Sequence, residues 1–325
     1  MTAYAFGFDI GGTNTQSGLV SEEGALLWMN SVRTEAHMGN EHVMELVRQQ
    51  VELGIRQSGV SREQIAGIGV GMPGAIDPKR GICVQSINLA FRDYPIGDKL
   101  QALTSMPVVV ENDVRMYVYG EAVCGAGQGY GNVLGLTIGT GVAAAWTQNG
   151  EIYRGGGIAG EIGHLRFEEL SYRCTCGGTG CLETIVSATG LAHQARQAVR
   201  GGERSLMAEL HASPELLTAK DVSDAYDQQD PAAIAIMNRT GRYLGKALSY
   251  LVQILDPDVI VIGGGGAKAG ERLLSPARET MLRLTQPIYH EGLAVVQAAR
   301  NDESGILGSA LWALRQLGKS RKQGY

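Results

Sequence analysis

The stretch from Gly160 to Thr184, GEIGHLRFEELSYRCTCGGTGCLET, places His164, Cys174, Cys176 and Cys181 between two glutamates, Glu161 and Glu183. One imidazole and three thiolates are the Cys3His donor set of a closed structural zinc site, in which four protein ligands leave no position for water or substrate. A metal there would tie together a loop too polar to hold itself. The competing interpretation is that His164 caps a turn and the cysteines are small buried residues. The chain has five cysteines, an odd number that suits a disulfide framework poorly, and clustered cysteines in a reducing compartment more often mean metal.

A weak internal repeat supplies the second set of candidates. GFDIGGTNTQSGLVSEEGALL, from Gly7 to Leu27, reads like GLTIGTGVAAAWTQNGEIY, from Gly135 to Tyr153. Each predicts a strand, a tight turn rich in glycine and threonine, a second strand, a glycine-containing turn and a third strand, so two halves share one plan. Glycines at such turns supply positive φ and let the backbone approach a ligand, with N–H groups free to point at phosphate. An ordinary hairpin is the alternative for either copy taken alone.

The elements that must carry these residues alternate along the chain. Glu41 to Ile55 is apolar at Val43, Val47, Val51 and Ile55, which predicts a helix with one buried stripe. IAGIGVGMPG reads as a buried strand ending in Pro73-Gly74, and MPVVVEND as another that ends in acids, where open α/β sheets keep their ligands. Pro231 to Leu255 carries Ile236, Tyr243, Leu244, Ala247, Leu248, Leu251 and Leu255 on a long helix stopped by Asp256-Pro257. VIVIGGGG is a strand running into four glycines, Gly263 to Gly266, before a helix, and only the tail GKSRKQGY reads as frayed.

At 325 residues, 44% hydrophobic and 19% charged, the chain can build two α/β-sized domains with real cores. A net charge of −5 with scattered Lys and Arg gives no footprint for nucleic acid or an anionic membrane. No apolar run approaches the roughly 20 residues of a membrane span, and the N-terminus lacks a basic region followed by a long apolar core. The expected location is cytoplasmic.

DIGGTNT, GMPG, END, TIGTG, GEIGH, CTCGGTGCLE and VIVIGGGG occur in an order and approximate spacing that resemble the ROK family, over residues 4 to 312. That family contains bacterial glucokinases, fructokinases, N-acetylhexosamine kinases, allose kinase and sugar-responsive repressors. The resemblance implies an α/β fold of two domains with ribonuclease-H-like (actin/hexokinase ATPase) topology around a central cleft. The first is expected over 1–119, with a C-terminal helix at about 305–317 packing back on it, and the second over 120–304 with the zinc-binding loop 164–181. It also implies ATP with Mg2+, a hexose substrate, structural Zn2+ and a homodimer.

By the same resemblance Asp113 is the base that accepts the hydroxyl proton in phosphoryl transfer; capping a helix that begins near Val114 is its other candidate role. Asn112, Glu161, His164 and Glu183 are expected to contact the sugar, His164 through whichever ring nitrogen does not bind zinc. The ion would hold Glu161 and Glu183 as rigid acceptors for adjacent hydroxyls. Asn88 in SINLAFRDYP resembles a segment lining the same pocket. Gly11, Gly12 and Thr13, with Gly139, Thr140 and Gly141, would cradle the phosphates. Asp9 would orient Mg2+ through water, or else bond its own turn. Gly264 and Gly265, within the run of four glycines, would let the backbone pass close to adenosine.

After END most members of the family continue with small residues, whereas this chain has Arg115, Met116 and Tyr117, so something bulkier borders the catalytic helix. The segment containing Asn88 resembles the glucokinase branch, and Glu161 argues against N-acetylmannosamine as the substrate, since N-acetylmannosamine kinases can replace that glutamate. The expected reaction is ATP-dependent 6-phosphorylation of an unmodified aldohexose, glucose first, with allose, fructose or an N-acetylhexosamine as alternatives. With DIGGT reached at residue 9, the DNA-binding region that a family repressor carries before it is not expected; a sugar-sensing regulator without chemistry is the alternative of a different class.

Overall fold

The computed structural model describes residues 3–323. Its contacts divide into two compact units, one holding the chain up to Gly129, Ala145–Ala159 and the chain from Ala299 onward, the other Tyr130–Ala144 and Gly160–Ala298. A division at 119/120 does not contain that return of residues 145–159 to the first unit.

The first unit opens with β1 (Tyr4–Ile10), β2 (Asn14–Ser21), β3 (Leu26–Arg33), α1 (Asn40–Ser58) and β4 (Ile65–Met72). It continues through β5 (Ala75–Asp77), β6 (Ile82–Ser86), β7 (Phe91–Tyr94), α2 (Ile96–Thr104), β8 (Val108–Asn112) and α3 (Asp113–Cys124). The main sheet has the order β3-β2-β1-β4-β8, and β5, β6 and β7 form a small antiparallel sheet beside it in sequence. β1 runs antiparallel to β2 and parallel to β4, and β4 runs parallel to β8. In this register Asp9 lies opposite Gly71 and Asn112 opposite Met72, so both polar residues stand at the carboxyl ends of parallel strands.

Phe6, Phe8, Val43, Val47, Val51, Ile68 and Val70 form the core between this sheet and α1. The expected stripe on α1 is the buried one, apart from the half-buried Ile55. The opposite face is covered by the C-terminal helix, α9 (Ser304–Gln323), through Ile306, Leu307, Ala310 and Ala313. α9 also crosses α3 at glycine: a Cβ on Gly308 would lie 1.8 Å from the carbonyl oxygen of Met116, so only a residue without a side chain permits this spacing. The tail expected to fray from residue 318 is helical through Gln323, and Gly324 and Tyr325 lie outside the described residues.

β9 (Asn132–Ile138), β10 (Val142–Gln148) and β11 (Glu151–Ile152) follow α3, and the second sheet has the order β11-β10-β9-β12-β13. Its remaining strands are β12 (Val259–Gly263) and β13 (Ala294–Gln297), with β12 parallel to both β9 and β13. The order repeats that of the first sheet, as the paired sequence segments predict. The helices are α4 (Glu183–Val186), α5 (Ala188–Arg200), α6 (Ala219–Asp227), α7 (Pro231–Leu255) and α8 (Glu271–Leu284). α7 has the expected bounds because Asp230 caps it through Ala233 N–H, Pro231 occupies its first turn and Asp256 ends it in a left-handed conformation. Among the described residues no helix is long and apolar enough to cross a membrane.

Candidate active site and metal centre

Asn112, the last residue of β8, caps α3: its Oδ1 accepts from Arg115 N–H at 3.2 Å and its Nδ2 donates to the Gly74 carbonyl at 3.3 Å. Asp113 is therefore the first residue inside α3, and the capping role falls to its neighbour. Asp113 Oδ1 accepts from Val114 N–H at 2.9 Å. Negative charge in the first turn of a helix is favoured by the backbone N–H groups there. Asp9, at the end of β1, has its carboxyl pushed up to about 7, first by burial and then by the charge of Asp113. A carboxylate at the end of a parallel strand and another in the first turn of a helix, the first raised by burial and by the charge of the second, are a donor set that a hard divalent cation fits, because its charge opposes both effects.

The first glycine loop follows β1 directly. Gly11 N–H donates to Asn14 O at 2.9 Å, the Thr34 hydroxyl donates to Gly11 O at 2.7 Å, and Thr34 N–H donates to Thr13 O at 3.0 Å. The turn is thereby pinned at its base, with Gly12 and Thr13 exposed. A Cβ on Gly12 would lie 3.6 Å from that of Asn88, so the exposed Asn88 borders this loop.

In the second unit the corresponding loop follows β9. Gly139 N–H donates to Gly141 O at 2.9 Å, Gly139 O accepts from Ala188 N–H at 2.9 Å, and Thr140 O accepts from the Thr189 hydroxyl at 3.3 Å. These bonds seat Gly139, Thr140 and Gly141 against the first turn of α5. Gly264 adopts φ +80° and passes so close that a Cβ would lie 2.6 Å from Ile138 O, which brings the start of the four-glycine run beside the same loop. Gly265 is exposed and opens onto free space.

Glu161, His164 and Glu183 gather in the second unit around Gly163. Residues Ile162–His164 form one 3-10 turn with Glu161 at its head, and a Cβ on Gly163 would lie 2.2 Å from Val142 O and 3.4 Å from the Cβ of Glu183. Glu161 and His164 are exposed, while Glu183 is half-buried, with one carboxylate oxygen facing Gly141. A candidate sugar acceptor therefore touches a candidate phosphate loop.

One ligand atom from each of His164, Cys174, Cys176 and Cys181 lies within 4.8 Å of all the others. Cys176 and Cys181 sulfurs are 3.6 Å apart, and Cys174 Sγ is 3.8 Å from His164 Nδ1. A tetrahedron with Zn–S about 2.3 Å has edges of about 3.8 Å, so the donors fit zinc in type and spacing. Bridges between Arg166 and Cys181 and between Arg173 and Thr179 fold the loop into this shape. With Nδ1 turned toward the sulfurs, Nε2 is the ring nitrogen left for other contacts.

A feature of the first unit escaped the sequence. Glu111, fully buried on β8, accepts from Arg115 Nη1 at 3.0 Å and from Arg154 Nε at 2.6 Å. Arg115, 4% exposed, also donates through Nη2 to Gly157 O at 2.6 Å. The other bulky residues turn to packing: Met116 is buried beside Gly71, and Tyr117 donates its hydroxyl proton to Asn301 Oδ1 at 2.7 Å. An acid inside an apolar strand, four residues before an arginine, is the signal that points to the pair.

The ROK family model matches residues 5–316. The glucokinase of Halalkalibacterium halodurans is 35% identical, over 98% of this chain and 97% of that protein. The crystal structure of a ROK family glucokinase from Streptomyces griseus in complex with glucose and AMPPNP superposes with a TM-score of 0.81 at 31% identity, covering 96% of this chain and 100% of that one. A ROK family transcriptional regulator, a homologue of the Escherichia coli MLC protein, has the same fold at TM-score 0.86 and 24% identity, covering 97% of this chain and 78% of that one. Fold alone thus does not separate kinase from regulator, but the match over nearly the whole length settles descent: the chain belongs to the ROK family.

Proposed function

We propose that this chain is a glucokinase that transfers the γ-phosphoryl group of ATP to the 6-hydroxyl of glucose. The observation that carries the proposal is Asp113 at the first turn of α3 with Asp9 beside it at the carboxyl end of β1. The identity to glucokinases over nearly the whole chain supports the same reading. Asp113 accepts the proton of the 6-hydroxyl as that oxygen bonds to the γ-phosphorus; the bond from phosphorus to the bridging oxygen breaks and ADP leaves. Gly11, Gly12 and Thr13 and, on the second unit, Gly139, Thr140 and Gly141 hold the phosphates through backbone N–H groups and hydroxyls. Gly264 and Gly265 border the nucleoside. Asp9 would hold Mg2+ through its water shell, and that ion supplies neutralisation of phosphate charge.

Asn88, Asn112, Glu161, His164 and Glu183 orient the sugar, His164 through Nε2. Zn2+ held by His164, Cys174, Cys176 and Cys181 would be structural, fixing the turn at Glu161 and the start of α4 at Glu183. A cytoplasmic setting suits an ATP-consuming enzyme whose cysteines are all free. We propose a homodimer as well, which sedimentation at micromolar concentration tests. The activity test is a coupled ADP-release assay with glucose on the wild type and on Asp113→Asn, in which the wild type releases ADP only with sugar present and the mutant loses that release. A regulator without chemistry would bind glucose and release none.

A further inference from the structure

We propose that Arg115 is a positioning residue that sets affinity for the sugar by tying the glycine segment 155–157 to the first turn of α3. The inference rests on the kinase reading for the identity of the ligand and for the sugar-contacting roles of Asn112 and Glu161. Gly155, Gly156 and Gly157 are consecutive, with φ +54° at the first and +118° at the third, and side chains placed at the second or third would meet nothing within 4 Å. Such a segment loses the most backbone entropy on ordering and has no side chains to hold it. Its internal bonds are few: Gly157 N–H donates to Arg154 O at 2.8 Å and Ala159 N–H to the same oxygen at 3.4 Å.

Both ends of the segment are instead tied to Glu111. Arg154 donates to Glu111 Oε2 at 2.6 Å, with its guanidinium 5.2 Å from the centre of the Trp312 ring. Arg115 reaches Glu111 Oε1 with one nitrogen and Gly157 O with the other. Glu111 Oε1 also accepts from Asn112 N–H at 3.0 Å, so the residues that present Asn112 and Asp113 share the anchor that holds the glycines. Only the planar fork of arginine makes both bonds at once; lysine offers a single point of charge. Arg115→Lys keeps the charge of the cluster, one carboxylate and two cations, so the bond to Gly157 is what changes. The segment next passes through Ile158, 68% exposed, and three residues later reaches Glu161.

The test is Arg115→Lys, assayed by steady-state kinetics with glucose and ATP and by hydrogen exchange of the 155–158 amides. KM for glucose should rise about tenfold, the loss of one hydrogen bond to a charged group, with KM for ATP unchanged and kcat within about threefold. Exchange over 155–158 should be faster by a similar factor. The double variant Glu111→Gln/Arg115→Met keeps the net charge of the cluster, since one acid and one base are removed together, and should show the same pattern. Unchanged exchange over 155–158, an unchanged glucose KM, or an equal rise in both KM values would overturn the proposal. A wild type that releases no ADP with any hexose would defeat the kinase reading, and the exchange rates would still decide whether Arg115 holds the segment.

Discussion

Cys174 donates its thiol proton to Glu183 Oε1 across 2.9 Å, so a candidate zinc ligand and a candidate sugar acceptor share one hydrogen bond. Burial first, and that bond second, push the Cys174 thiol up to about 12. A metal-bound thiolate has no proton to give, and Glu183 then keeps both oxygens for sugar hydroxyls. Zinc content and sugar affinity should therefore move together. Cys176→Ala should lose bound zinc, lower the melting temperature and weaken glucose binding by calorimetry roughly tenfold, the effect of one charged acceptor lost. Wild-type protein prepared without chelators and found free of zinc would contradict this.

Asp113→Asn removes the proposed proton acceptor while keeping the shape of the first turn of α3. Its kcat should fall at least about a hundredfold, the lower range for a general base, with glucose affinity and melting temperature close to wild type. Near wild-type turnover in the purified variant would move the base elsewhere.

Glu121 couples α3 to the start of α9. Fully buried, it accepts from Ser304 Oγ at 2.5 Å, from the amides of Arg300 and Asn301 at 2.8 and 3.0 Å, and from those of Ala126 and Ala299 at 2.9 and 3.0 Å. Burial alone would raise its carboxyl, but these bonds outweigh it and hold the group below the ordinary 4.5. A lowered folded-state value means stability that is present above about 4.5 and lost as pH falls through the folded value. Glu121→Gln should lower the melting temperature by several degrees at pH 7, and the gap to wild type should shrink below pH 4. A gap that stays constant with pH would show that packing, not charge, is at stake.

Much of this arrangement is legible in the sequence where the signal is local. The bounds of α7 follow from Asp230, Pro231 and Asp256-Pro257, the clustering of His164, Cys174, Cys176 and Cys181 from donor type and spacing, and the paired sheets from two matched glycine turns. The sheet β5-β6-β7 is not legible because its strands are three to five residues long and partly polar. Arg115 reads as a bulky departure from a family pattern, since its partner Gly157 lies 42 residues away and nothing local marks the contact. The tautomer-defining side of His164 is likewise set by where the cysteine loop returns, which spacing leaves open.

The most direct test of the account is kcat/KM for glucose, allose, mannose, fructose, N-acetylglucosamine and N-acetylmannosamine, measured by ATP-dependent ADP release on zinc-replete protein. Glucose should lead if Asn112, Glu161, His164 and Glu183 take the sugar-binding roles proposed for them, since a hydrogen-bond partner lost to a wrong sugar can cost up to about 10^4 in kcat/KM. An N-acetyl sugar or a ketohexose ahead of every plain aldohexose by tenfold or more would contradict the choice of glucose; no ADP released with any sugar, while glucose still binds, would contradict the kinase assignment itself.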